Sequence, residues 1–318
     1  MRSIRYHLLS FILKKIIKRP INTKSMLYKV RAKMDEQTVS SKLTKNVAIT
    51  PMMVTNIPFE LYEPSVRNTE SVLFYIHGGG FCMGSLTSHR SYLMHLAKAF
   101  GMRILACDYA LAPEHPFPTA YDQISDAFDW ITQNSFSAKN LVLAGESAGA
   151  NLALSLLMQL RDKKKQLPEA ALLFSPWIDL THQGDSYRDH KKSEHYIHGD
   201  SIPSFVSWYL KDKEKDARDE RISPLYGKFA DLPPLFVQYS DTELFSSDSV
   251  QLVQKAKKTG VAIEESCLHN MPHAAIIFYP ILPEAHEAMH AARDFLIEQK
   301  ILPLSARTPS KVKSVIQR

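Results

Sequence analysis

Short, wholly apolar runs bounded by glycine, aspartate or proline constrain this chain more than any other feature. Val72–Ile76 is one such run and Ile104–Cys107 another; Leu141–Ala144, Ala170–Phe174 and Leu235–Tyr239 follow. Runs of this length, without polar alternation, suit strands buried on both faces of a sheet. Helix-like stretches separate them, over residues 88–100, 119–134, 148–163, 248–259 and 284–299. Strands alternating with helices predict an α/β fold with a parallel sheet and right-handed crossovers. The chain has 318 residues, 45% of them hydrophobic and 23% charged, which is ordinary globular composition and enough for one large domain or a domain with a small appendage.

The net charge is +6. Much of it sits at the ends, in Arg2, Arg5, Lys14, Lys15, Lys18 and Arg19 and in Arg307, Lys311, Lys313 and Arg318. The middle is close to balanced, so no basic groove is expected and nucleic acid is not an expected partner. No run approaches the roughly 20 apolar residues of a membrane span. The apolar stretch Leu8–Leu13 is followed by lysines instead of a cleavage site, so a secretory signal is not expected and a cytoplasmic location is the default. Cys82, Cys107 and Cys267 are an odd number without ligand spacing, and read as small core residues in a reducing compartment.

Ile4, Leu8, Phe11, Ile12 and Ile16 recur at helical spacing before Pro20. This amphipathic helix is expected to lie on the rest of the protein; its flanking cations offer a second reading, weak membrane-surface contact through residues 1–19. Residues 180–222 break the strand–helix rhythm. They carry His182, His190, His195 and His198, with an apolar group at Phe205, Trp208 and Tyr209. The stretch is too long for a plain loop and reads as a helical insertion over one sheet edge. Its histidines have no ligand spacing, so solvated surface is expected and no metal. Residues 303–318 read as a frayed basic tail.

Gly145-Glu146-Ser147-Ala148-Gly149 follows one apolar run and opens a helical one. That is the strand–turn–helix setting of a nucleophile elbow, with Ser147 as the nucleophile. Glu146 is expected to anchor the turn or orient a loop. His77-Gly78-Gly79-Gly80-Phe81 follows the strand 72–76. Glycines there let backbone N–H groups meet a developing oxyanion. Gly78, Gly79 and Gly80 are one half of the expected hole and the N–H of Ala148 the other. The chain order of this chemistry is serine, acid, histidine, which leaves His269, His273, His286 and His290 as positional candidates for the base; the last two lie in a helical pattern and are expected to face solvent.

The chain here resembles the hormone-sensitive-lipase-like family of α/β hydrolases. Asp108-Tyr109-Ala110-Leu111-Ala112-Pro113-Glu114-His115-Pro116-Phe117-Pro118, Ser175-Pro176-Trp177-Ile178-Asp179-Leu180 and Leu232-Pro233-Pro234 add to the two glycine motifs. The likeness covers roughly residues 70–300. Ala110 stands where the family often has Arg, and Ala150 where it often has Gly. The resemblance implies an α/β-hydrolase fold, a mostly parallel central sheet flanked by helices with a helical cap. Its division would be 1–45 for N-terminal cap helices, 180–222 for the cap insertion, and 46–179 with 223–302 for the catalytic domain. Family position favours His273 as base over His269. In Ser240-Asp241-Thr242-Glu243-Leu244, many relatives have Asp-Pro-Leu; counting from Pro233-Pro234 places Glu243 at the acid, with Asp241 the alternative and Asp248 read as a loop or helix-capping carboxylate. Asp108 and Glu114 are expected to hold the 108–118 loop together, and His77 to fix the glycine loop. Phe81, Met83 and Trp208 are candidates for the pocket wall, with plain core residues as the other reading.

The implied activity is serine carboxylester hydrolysis of short- to medium-chain acyl esters, without metal or organic cofactor. An N-acyl amide or lactone would suit the same triad, and a non-catalytic binding module on this fold is the reading from another class. A homodimer through the C-terminal strand and helix stays open.

Overall fold

A computed structural model describes residues 3–16, 19–39, 44–194, 196–211, 217–279 and 281–307. The apolar runs become β3 (Val72–Ile76), β4 (Arg103–Cys107), β5 (Leu141–Glu146), β6 (Ala170–Phe174) and β7 (Leu235–Ser240), with β8 (Ile263–Leu268) after them. With β1 at Val47–Val54 and β2 at Ile57–Pro64, the sheet order is β1-β2-β4-β3-β5-β6-β7-β8. From β4 to β8 every pairing is parallel. β1 and β2 form an antiparallel hairpin beside β4. Strand order reverses around β3 and β5, so the loops leaving their C-terminal ends diverge and open a crevice.

The described helices are α1 (Ile4–Ile16), α2 (Lys24–Val39), α3 (Leu86–Phe100), α4 (Thr119–Asn134), α5 (Ala148–Asp162), α6 (Ser186–Asp189), α7 (Ile202–Leu210), α8 (Ser246–Lys258) and α9 (Pro283–Glu298). Alternate strand residues feed two cores. Phe74, Ile76, Leu141 and Leu143 pack with α4, α5 and α8. Leu73, Tyr75, Val142 and Ala144 pack with α3 and α9. Burial on both faces is why these strands carry no polar alternation.

The hairpin was not legible in the sequence. Thr55 and Asn56 turn it at φ +48° and +66°, a two-residue turn without the usual glycine. The N-terminal helix also differs from expectation, because it packs through the other side. Tyr6 and Leu13 are buried, whereas Ile4, Leu8, Phe11 and Ile12 are exposed. Tyr6 sits with Met271, Ala275, Leu282 and Ala285. Its hydroxyl donates to the Asn270 carbonyl at 2.9 Å, a bond no aliphatic face makes. The Ser3 N–H and hydroxyl donate to the Glu284 carboxylate at 2.7 and 3.0 Å. The side chain of Ile16 lies outside the described residues.

The histidines of the 180–222 stretch are half-buried where described, so solvent reaches them only in part; His195 lies outside the described residues. His182 stacks on Trp177 with centroids 6.0 Å apart, and burial pushes its imidazole down to about 4. His190 Nδ1 is 3.0 Å from the Glu243 carbonyl oxygen. His286 and His290 are likewise half-buried. Cys267 is exposed, because β8 ends the sheet and presents one face to solvent, while Cys82 and Cys107 are buried. Leu304–Ala306 form a 3-10 turn, and the expected tail beyond 307 lies outside the described residues. No described helix is long and apolar enough to cross a membrane.

Candidate active site

β5 ends in Glu146, and Ser147 then takes φ +56° and ψ −120° before α5 begins at Ala148. A non-glycine residue held there stores strain, and turns its side chain away from both strand and helix. The Ser147 N–H donates to the Phe174 carbonyl at 2.9 Å, and the Trp177 N–H to the Ser147 carbonyl at 3.2 Å. The turn closes only because the helix can press on β3: a Cβ on Gly149 would lie 2.0 Å from the Ile76 carbonyl oxygen. Ala150 is fully buried without a glycine's help.

The glycine loop leaves β3 beside this turn. Gly79 has φ +111°, and a Cβ there would meet the Met83 carbonyl oxygen at 2.2 Å. The Gly78 N–H donates to the Glu146 carboxylate, which also accepts from the Tyr75 hydroxyl and lies 2.9 Å from His89 Nε2. Gly78 therefore differs from the expectation that it donates into the crevice. No described residue accepts from the N–H of Gly79 or Gly80. Ala148 opens α5, so its N–H is one of those a helix start leaves without an intrahelical acceptor. Burial alone would raise the Glu146 carboxyl, but the His89 charge and the bonds from His89, Tyr75 and Gly78 outweigh it, leaving it below the usual range. Burial would conversely lower His89, but Glu146 holds it above its ordinary value. His77 keeps Nδ1 2.8 Å from the Gly78 carbonyl oxygen and stacks on Tyr109 at 4.3 Å; burial pushes it down to about 4.

His273 follows β8 in a loop tied on both sides. The Met271 N–H donates to Ser240 Oγ at 2.9 Å, and the Ala274 N–H to Ser175 Oγ at 3.0 Å. Nδ1 of His273 lies 3.0 Å from Oε2 of Glu243, and both side chains are buried. His273 Nε2 has no hydrogen-bond partner among the described residues. The alternative acid and base meet each other instead: Asp241 Oδ2 lies 2.5 Å from His269 Nδ1, on the exposed side of the loop. Asp248 does not cap its own helix. Its Oδ2 accepts from the N–H groups of Ile178 and Asp179, 2.9 Å each, and from the Tyr187 hydroxyl at 3.0 Å.

Residues 73–277 match the α/β hydrolase fold family. An esterase of Acinetobacter venetianus is 30% identical over 291 residues, covering 92% of this chain and 95% of its own length. An acetyl-hydrolase of Streptomyces hygroscopicus is 34% identical over 230 residues, 72% of this chain and 76% of its own. The crystal structure of an esterase from the bacterial hormone-sensitive lipase family superposes with TM-score 0.87 at 30% identity, over 94% of this chain and 99% of that one. The chain belongs to the hormone-sensitive-lipase-like family of α/β hydrolases.

In this hydrolase Ser147, His273, Gly79 and Gly80 open on one cavity of about 340 Å³. Of the expected wall residues, Met83 lines it. Phe81 is instead buried in the core, stacked 3.9 Å from Tyr209, and half-buried Trp208 packs beside Phe205. The apolar walls come from Trp177 and Phe245, from Ile197, Ile202 and Phe205, and from Leu13, Ile21, Met26 and Val30 near the N-terminus. No sequence period marks them, because each belongs to a different element.

Two further residues were missed. Asn151 is fully buried, and its Nδ2 donates to the carbonyls of Trp177 and Ile222 at 2.9 Å each, holding the chain beside Ser147. A polar residue in the otherwise apolar start of α5 was its available signal. Arg31 of α2 reaches the Cys82 and Ala112 carbonyls at 2.6 Å each and pairs with Glu114. Glu114 thus holds the 108–118 loop to α2 instead of to itself, and Asp108 accepts from the Leu86 N–H at the start of α3. Among the described residues, no group of three or more His, Cys, Asp or Glu is placed to hold a metal ion.

Proposed function

We propose that this hydrolase is a serine carboxylesterase acting on short- to medium-chain acyl esters through an acyl-enzyme. The observation that carries the reading is the meeting of a strained Ser147 and a His273–Glu243 pair on one apolar cavity. Ser147 Oγ attacks the ester carbonyl carbon while His273 Nε2 takes its proton. Glu243 accepts from Nδ1, fixing the tautomer and stabilising the imidazolium. The oxyanion rests on the N–H groups of Gly79, Gly80 and Ala148. His273 then protonates the leaving alcohol, and the same steps with water release the acid.

Residues 1–45 and 180–222 would act as a cap over a catalytic domain of 46–179 and 223–302. Support comes from the cavity walls that α2 and the 196–205 stretch contribute. An apolar space of about 340 Å³ suits short acyl chains better than long ones. The acetyl-hydrolase relative points the same way, acetyl being a short acyl group.

The test is turnover of p-nitrophenyl esters from acetate to laurate by wild type and Ser147→Ala. Turnover that falls with chain length and drops at least about 10³-fold in the variant is expected. A folded variant that keeps its activity overturns the assignment of Ser147.

A further inference from the structure

We propose that the outward face of α1 seats this protein on an anionic lipid surface. Ile4, Leu8, Phe11 and Ile12 are 87%, 60%, 55% and 41% exposed. Their spacing puts them on one stripe of the helix. The opposite face is fixed to the protein by Tyr6 and Leu13 and by the bonds from Ser3 to Glu284. The stripe is therefore held outward by the anchoring of the other face. Ile281, 60% exposed, adds to it: Arg5 of α1 reaches its carbonyl oxygen at 3.5 Å.

Charge selects the occupant. Residues 1–19, the segment that carries the stripe, hold six lysines and arginines and no acidic residue. A second copy docking on the same face would set these cations against each other. An anionic bilayer would neutralise them while the stripe enters the headgroup boundary, where burial of apolar area and attraction to anionic lipid add. The same segment walls the cavity through Leu13 and Arg19. Docking would therefore bring that wall to the lipid, whatever ester the site prefers.

The experiment is co-sedimentation of the full chain with vesicles of phosphatidylcholine alone or mixed with phosphatidylglycerol. Wild type is expected to sediment with the mixed vesicles and to be released by salt. The double variant Ile4→Ser, Leu8→Ser should bind them about tenfold or more weakly. Its circular dichroism and its turnover of a water-soluble ester should match wild type, which separates lost docking from lost folding. The proposal is overturned if wild type ignores the anionic vesicles, or if the variant binds them equally. It is also overturned if wild type is a dimer in solution that the variant dissolves, since the face would then join two copies.

Discussion

Oε1 of Glu146 lies 2.9 Å from Nε2 of His89, and both side chains are buried beneath the Gly78 turn. The glycine loop is thus held from below by an ion pair whose carboxylate belongs to the residue before Ser147.

This pair makes stability depend on pH in a definite window. Glu146 is held below its ordinary value of 4.5, so its contribution is present above that value and lost as pH falls further. His89 is held above its ordinary value of 6.5, so its contribution is whole below that value and lost as pH rises through the folded value. Glu146→Gln should cost about 3–5 kcal/mol between those limits and less on either side. Urea unfolding of wild type and variant across pH measures the difference; a gap that stays flat with pH refutes the pairing.

Glu243 and Asp241 are separable by activity. Glu243→Gln should lower kcat by about 10³–10⁴-fold, because the imidazole loses the acceptor that sets its tautomer. Asp241→Asn, on the exposed pair with His269, should stay within about twofold of wild type. Steady-state kinetics decide it, and the reverse ranking would make Asp241 the acid.

Arg31→Met should leave the Cys82 and Ala112 carbonyls and Glu114 without their guanidinium partner. A loss of about 1–3 kcal/mol is expected by urea denaturation. KM should rise more than kcat falls, since α2 walls the cavity but carries no reacting group. Unchanged KM and stability would show that α2 is held by its apolar contacts alone.

Ile202→Trp should fill part of the cavity. The ratio of kcat/KM for octanoate over butyrate is expected to fall about tenfold, with butyrate little changed. Equal losses on both esters would place the acyl chain along another wall.

The sheet and the turn that carries Ser147 were legible because they obey local rules. Strands buried on both faces read as apolar runs, and the elbow needs glycines at fixed positions around Ser147. The β1–β2 hairpin was not legible, since Thr55-Asn56 makes its turn without glycine. Face choice was lost at α1, where apolar residues lie on both sides and Tyr6 decides the outcome by a hydrogen bond to Asn270. The direction of the Gly78 N–H depends on Glu146, a neighbour in space that no spacing reveals. Phe81 and Trp208 went to the core because aromatic residues beside a motif look the same on either side of a wall.

Ser3 and Glu284 are bonded across 281 positions, and Tyr6 reaches Asn270 across 264. During synthesis the first helix leaves the ribosome long before its seat exists. Until residues 270–285 have been made, Tyr6 lacks the surface that buries it, and both faces of the helix stay open to chaperones or to lipid. The last of the described α-helices and the loop before it therefore let the first helix settle.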